Sequence, residues 1–300
     1  MTSTGSQLFI AVPAALAGAA GFGLASAVQQ RATKQVPTTR TLDPRLLWQL
    51  VRKPIWLLSI GTVIVGLSLQ VVALAFGPLV LVQPLLVTAV LFGAVFAAWM
   101  AHRRLDRVLV LGALAVAVGL AVFLLLARPS GQGEGFTGSG VFPLAAVLVL
   151  IVLGCLLAAG RFRGELRVLA LALATGVLYG VTAGLIKVVA GQIRQGGLAE
   201  PFGHPTLYVV CALGPVGFLL SQNTFQQGRF ISPALAVITA VDPLVGIAIG
   251  VNWLGERVVA SPYALAGEVL AAVLLLVGIW VLTRRGEHLR RIAARNSGSG

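Results

Sequence analysis

The chain is 300 residues long, 58% hydrophobic and only 10% charged, with a mean hydropathy of +0.96; soluble domains carry about 25% charged residues, so a water-soluble globule is excluded. Twenty-two Lys and Arg against nine Asp and Glu give a net charge of +13, but these charges fall between apolar runs and report topology before any nucleic-acid partner. The two cysteines, Cys155 and Cys211, each sit in an apolar run, which excludes a disulfide framework.

In chain order, runs long enough to cross a bilayer fall at about residues 8–28, 55–76, 79–100, 108–127, 141–160, 168–190, 206–222, 232–254 and 262–282. The N-terminal MTSTGSQ has no Lys or Arg before the first run, so that run is read as a retained helix and not as a cleaved signal. Gly77-Pro78 is the tight turn that divides spans 2 and 3. The expected fold is therefore an all-α polytopic membrane protein of nine transmembrane helices.

Orientation follows from the basic residues. Eighteen of them lie in the odd-numbered loops and the tail, among them Arg31, Lys34, Arg103, Arg161, Arg229 and Arg284, while only Arg128, Arg194 and Arg257 lie in the even-numbered loops. The positive-inside rule then puts the N-terminus outside and the C-terminus in the cytoplasm.

Nine spans allow two repeats of inverted orientation: helices 1–4 (residues 1–129), a linking helix 5 (130–166), helices 6–9 (167–283) and a basic cytoplasmic tail (284–300). Each repeat opens on a small-residue face, Gly18, Gly21 and Gly23 in span 1 and Gly176, Gly180 and Gly184 in span 6. Gln83-Pro84-Leu85 and Asp242-Pro243-Leu244 are matching polar-Pro-Leu sequences, read as helix breaks at Pro84 and Pro243. Inverted repeats meeting at broken helices are a recurrent transporter plan. The glycine stripe is read first as close helix packing.

Asp242 falls about 15 Å into span 8, near the bilayer midplane, where an ionisable residue is by default a functional-site hypothesis. Glu268 and Lys187 sit at similar depths near the outer ends of spans 9 and 6, where an ion pair, a helix clamp or a snorkelling lysine compete with a substrate role. Gln70, Gln83, Asn223 and Tyr179 supply neutral polar atoms within spans, which serve interhelical hydrogen bonds or anchor a solute. Asp242 is also the candidate metal ligand. An enzyme is not expected: His102, His204 and His288 lie in loops or tail, and no metal-ligand spacing, P-loop or nucleophile elbow occurs. No cofactor is called for.

Lys53-Pro54-Ile55-Trp56 followed by AFGPLVLVQPL at 75–85 resembles the NIPA-type magnesium transporters of the drug/metabolite transporter superfamily, with their KPxW sequence and AFAPxxLVTPLG-like helix break. Leu254-Gly255-Glu256 looks like the LGE signature of EamA-type members. The chain departs from the pattern at Gln83, where the family has Thr, and at Leu86, and Asp242 has no evident counterpart. The resemblance implies a secondary transporter working by alternating access, with Mg²⁺ or another divalent cation as solute. An exporter of a small organic metabolite or drug, and a membrane assembly protein that moves nothing, stay open as alternatives. Expected partners are the solute and the anionic headgroups facing the Arg-rich loops, with no nucleic acid. A glycine face packs within a bundle or between protomers, so homo-oligomerisation stays open. The expected location is a bacterial plasma (inner) membrane.

Overall fold

The computed structural model describes residues 3–33, 45–100, 141–227 and 231–257, with isolated positions between Leu111 and Phe136 and between Leu270 and Val277. Span 4, span 9 with Glu268, the tail, and the boundaries at 129/130 and 283/284 lie outside the described residues. Every regular element among the described residues is helical: α1 (Ser3–Thr33), α2 (Arg45–Val51), α3 (Pro54–Phe76), α4 (Leu79–Leu86), α5 (Ala89–Met100), α6 (Val141–Arg161), α7 (Glu165–Gly196), a 3₁₀ turn (Glu200–Gly203), α8 (Pro205–Gln227) and α9 (Ile231–Asn252). Gln7–Gln29, Pro54–Phe76, Val141–Arg161, Leu166–Gly196 and Pro205–Thr224 are each long and apolar enough to cross a bilayer. The chain is a multi-pass membrane protein.

Local chemistry explains the boundaries. Pro54 starts α3, where its missing N–H costs nothing. Gly77 (φ −129°, ψ 155°) and Pro78 (φ −66°, ψ 149°) are both extended and end the helix, as expected before and at a proline that cannot continue the ladder. Span 3 is then two helices. Pro84 lacks a donor, α4 stops at Leu86, and Val87 and Thr88 close tight turns onto Pro84 O and Leu85 O before α5 resumes at Ala89. The break expected at Pro243 is not found: α9 runs unbroken through it to Asn252. A proline inside a membrane helix is tolerated where neighbours satisfy the freed groups, and four helices, α4, α6, α7 and α8, pack on α9. The first loop contains α2, whose exposed Trp48 lies under Arg52, 5.8 Å from ring centroid to guanidinium carbon.

Two helices organise the packing. The first, α1, packs on α3, α4 and α5; the second, α7, packs on α3, α6, α8 and α9. Small residues make both sets of contacts close. A Cβ on Gly21 would stand 3.2 Å from Thr62 O, and one on Gly23 would stand 2.6 Å from Ala89 O. On α7, Gly176, Gly180 and Gly184 press against Val241, Val245 and Ile249 of α9, so the stripe is a packing face, as small-residue faces in membranes commonly are. The short helix α4 is enclosed from Leu79 to Leu85. Phe142, Leu150 and Leu157 of α6 are exposed, as suits a helix against lipid.

Candidate functional site

Asp242 sits at the middle of α9, in the apolar run AVDPLVG. Its Oδ1 is buried and has no hydrogen-bond partner among the described residues. Three other elements converge there. From α7, Tyr179 lies close to Ser221 of α8 and within electrostatic reach of Asp242. Its ring fits over α8 because residue 217 is Gly; a Cβ there would meet the ring at 3.3 Å. From α4, Gln83 packs on Gly246, one helical turn from Asp242, and its buried Nε2 also lacks a partner. Buried polar atoms are normally paired, and each orphan costs on the order of 1–3 kcal/mol. An acidic oxygen without a partner, with a second orphan from α4 packed one turn along the same helix, makes this the candidate site.

A second polar centre lies at the Gly77-Pro78 corner. Where α3 ends and α4 begins, the helices leave carbonyls and amides without intrahelical partners, and in a bilayer each costs several kcal/mol if unmet. Lys187 of α7, only 4% exposed, donates to Leu74 O at 2.7 Å and to Gly77 O at 2.8 Å. Glu256, 3% exposed, accepts from Leu79 N–H at 2.7 Å and Val80 N–H at 2.9 Å. The cation meets the negative end of the α3 dipole and the anion the positive end of α4. The turn after α9 delivers Glu256: Leu254 is buried, Gly255 takes the left-handed φ of 65°, and Glu256 N–H bonds back to Gly250 O. Each residue of Leu-Gly-Glu thus has a physical task, and only Gly adopts that φ without strain.

The remaining expected residues are placed as follows. Lys187 does not snorkel: two of its protons go to main-chain carbonyls, and the pair with Glu268 lies outside the described residues. Gln70 is buried on the α3 face toward α1, its main-chain nitrogen facing Gly18. Asn223, fully buried, turns its Nδ2 back to Leu219 O at 2.9 Å and leaves Oδ1 unpartnered. Sequence reasoning missed Ser221 and Glu256 as site residues, and the pair Gln222 Nε2 to Gln29 Oε1 at 3.0 Å, which ties α8 to α1. For Glu256 the signal was present: a carboxylate after Trp-Leu-Gly at the end of a span. Among the described residues no group of three or more His, Cys, Asp or Glu stands together.

Two relatives match this chain in sequence along most of their length. An uncharacterized protein of Corynebacterium glutamicum is 26% identical over 275 residues, covering 92% of this chain and 95% of its own. A protein of Arabidopsis thaliana described as "Probable magnesium transporter NIPA6" is 24% identical over 270 residues, covering 82% of this chain and 81% of its own. No family model matches the chain, and no solved structure does.

Proposed function

We propose that the protein is a secondary transporter of the drug/metabolite transporter type that moves a small solute, Mg²⁺ or a similar divalent cation, by alternating access. The observation that carries this reading is the unpartnered, buried Oδ1 of Asp242 at the middle of a membrane helix. Mg²⁺ keeps several waters and is held by one or two carboxylates, so a single Asp among neutral oxygens is a sufficient donor set for a transiently bound cation. The similarity to a probable magnesium transporter supports the same solute.

Nine spans, an external N-terminus and an inverted repeat belong to this proposal. Supporting the repeat, α1 packs on the two spans that follow it and α7 likewise on α8 and α9. Anionic headgroups would then face the Arg-rich loops at the cytoplasmic surface of a plasma membrane. A second reading, an organic metabolite, is favoured by one observation: Gln83, packed on Gly246 one helical turn from Asp242, has an unpartnered amide nitrogen, so the region offers a donor as well as an acceptor to an amino or hydroxyl group.

Flux into dye-loaded proteoliposomes separates the two. Wild-type protein is expected to carry Mg²⁺ above empty vesicles, and Asp242→Asn to lose at least about tenfold of that rate, a barrier change of about 1.4 kcal/mol. Near-normal Mg²⁺ flux in folded Asp242→Asn would remove the cation reading.

A further inference from the structure

We propose that Lys187 and Glu256 form a lock that closes the solute site on the side of the Gly77-Pro78 corner, and that breaking their four hydrogen bonds opens the site to that side. The inference rests on the reading of the Asp242 region as a solute site. Its support is positional. Three of the elements that meet at the site each carry one residue at the site and a second at the corner. On α7, Tyr179, Ala183 and Lys187 follow at four-residue intervals, hence on one face, with about 12 Å between the first and last. On α4, Gln83 stands one turn below Leu79 and Val80, whose amides are held. On α9 and the turn after it, Asp242 is followed by Glu256.

The lock therefore ties together the walls of the site at one end and nowhere along their length. It also joins the two halves of the chain, because the held groups all belong to residues 74–80 and the holding side chains to residues 187 and 256. The corner itself is two extended residues, Gly77 and Pro78, with helices on either side, a place where rotation of a few main-chain angles moves α4 as a unit. Hydrogen bonds from charged side chains to main-chain groups suit a closure that must break and reform: water entering the corner replaces each partner, whereas a packed apolar seam offers water nothing.

The test is thiol accessibility beneath the lock. In the full chain with Cys155→Ala and Cys211→Ala, Ala183→Cys places one thiol between Lys187 and Tyr179. Phe202→Cys, at an exposed position of the 3₁₀ turn that follows α7, marks the same side of the membrane. A membrane-impermeant maleimide is applied to intact cells and to inverted vesicles, and the preparation in which Phe202→Cys reacts is the one read. With the lock intact, Ala183→Cys is expected to react at least about tenfold more slowly than in the same chain carrying Glu256→Gln or Lys187→Gln. Glu256→Asp, which keeps the charge on a shorter arm, should fall between, and serves as the deciding variant if the other two do not purify as a single folded species. An unchanged rate in a folded variant, or an increase only from the opposite side, overturns the proposal. No solute is present in this experiment, so accessibility that rises while flux is absent would keep the lock and remove the transport reading, and flux with unchanged accessibility would do the reverse.

Discussion

Glu256 and Asp242 both turn carboxylate oxygens to the interior of a membrane protein, one in the turn after α9 and one at the middle of it, yet they have opposite tasks. Glu256 is fully engaged by two amides, so its removal is a stability matter. Glu256→Ala leaves two buried N–H groups unmet and is expected to cost about 2–5 kcal/mol, against about 1–3 kcal/mol for Glu256→Gln, which keeps one acceptor and leaves the other N–H unmet; thermal unfolding in detergent gives the order. Equal losses for both would mean that the charge and not the acceptor matters. Asp242 has an oxygen with no partner, so Asp242→Asn is expected to leave the unfolding midpoint unchanged or raised while reducing transport. The sequence made Asp242 visible because an acid in the middle of a long apolar run is by default a functional-site hypothesis. It hid Glu256, which follows the span in a turn, where charges are ordinarily solvated; only the chain reversal at Gly255 takes it inside.

At the level of elements, the contact of α7 with α9 depends on absent side chains. Gly180→Ala would place a Cβ 2.6 Å from Val245 Cβ and 2.7 Å from the Asp242 carbonyl oxygen. It is expected to destabilise by about 1–3 kcal/mol, and Val245→Ala in the same chain to restore only part, since the backbone contact remains. Gly154→Ala on α6, where a Cβ meets nothing within 4 Å, is the matched control and should be neutral or slightly stabilising. Loss of stability at Gly154 equal to that at Gly180 would contradict the packing assigned to the stripe. The positions of spans 1, 2, 5, 6 and 7 and the Gly77-Pro78 turn were legible because length and proline chemistry fix them. The fate of the two Pro sequences was not. Pro84 and Pro243 share a local pattern, yet only the first ends its helix within a turn, so the difference comes from the surrounding helices, which one strand of sequence does not display.

The whole molecule is held at both ends of its polar centre. On the side of α2, Trp56 tilts against Phe218 with ring centroids 6.3 Å apart, and Gln222 bonds Gln29 nearby; on the other side stands the corner held by Lys187 and Glu256. Basic residues predict which side is which. A fluorescent protein fused after Gly300 is expected to mature in the cytoplasm, and a periplasmic reporter fused at the N-terminus to be active outside, following eighteen basic residues against three. Both reporters on one side would require an even number of spans.

The most direct measurement on the central claim, that Asp242 takes the solute, is the unfolding midpoint of the purified protein titrated with Mg²⁺. Binding to the folded state alone raises stability by RT ln(1 + [L]/Kd), about 2.7 kcal/mol at a hundredfold excess over Kd. A saturable rise in the wild type that is absent in Asp242→Asn, and kept in Asn223→Ala, is the expected result. A rise of equal size in wild type and Asp242→Asn would show that the cation binds elsewhere and contradict the claim.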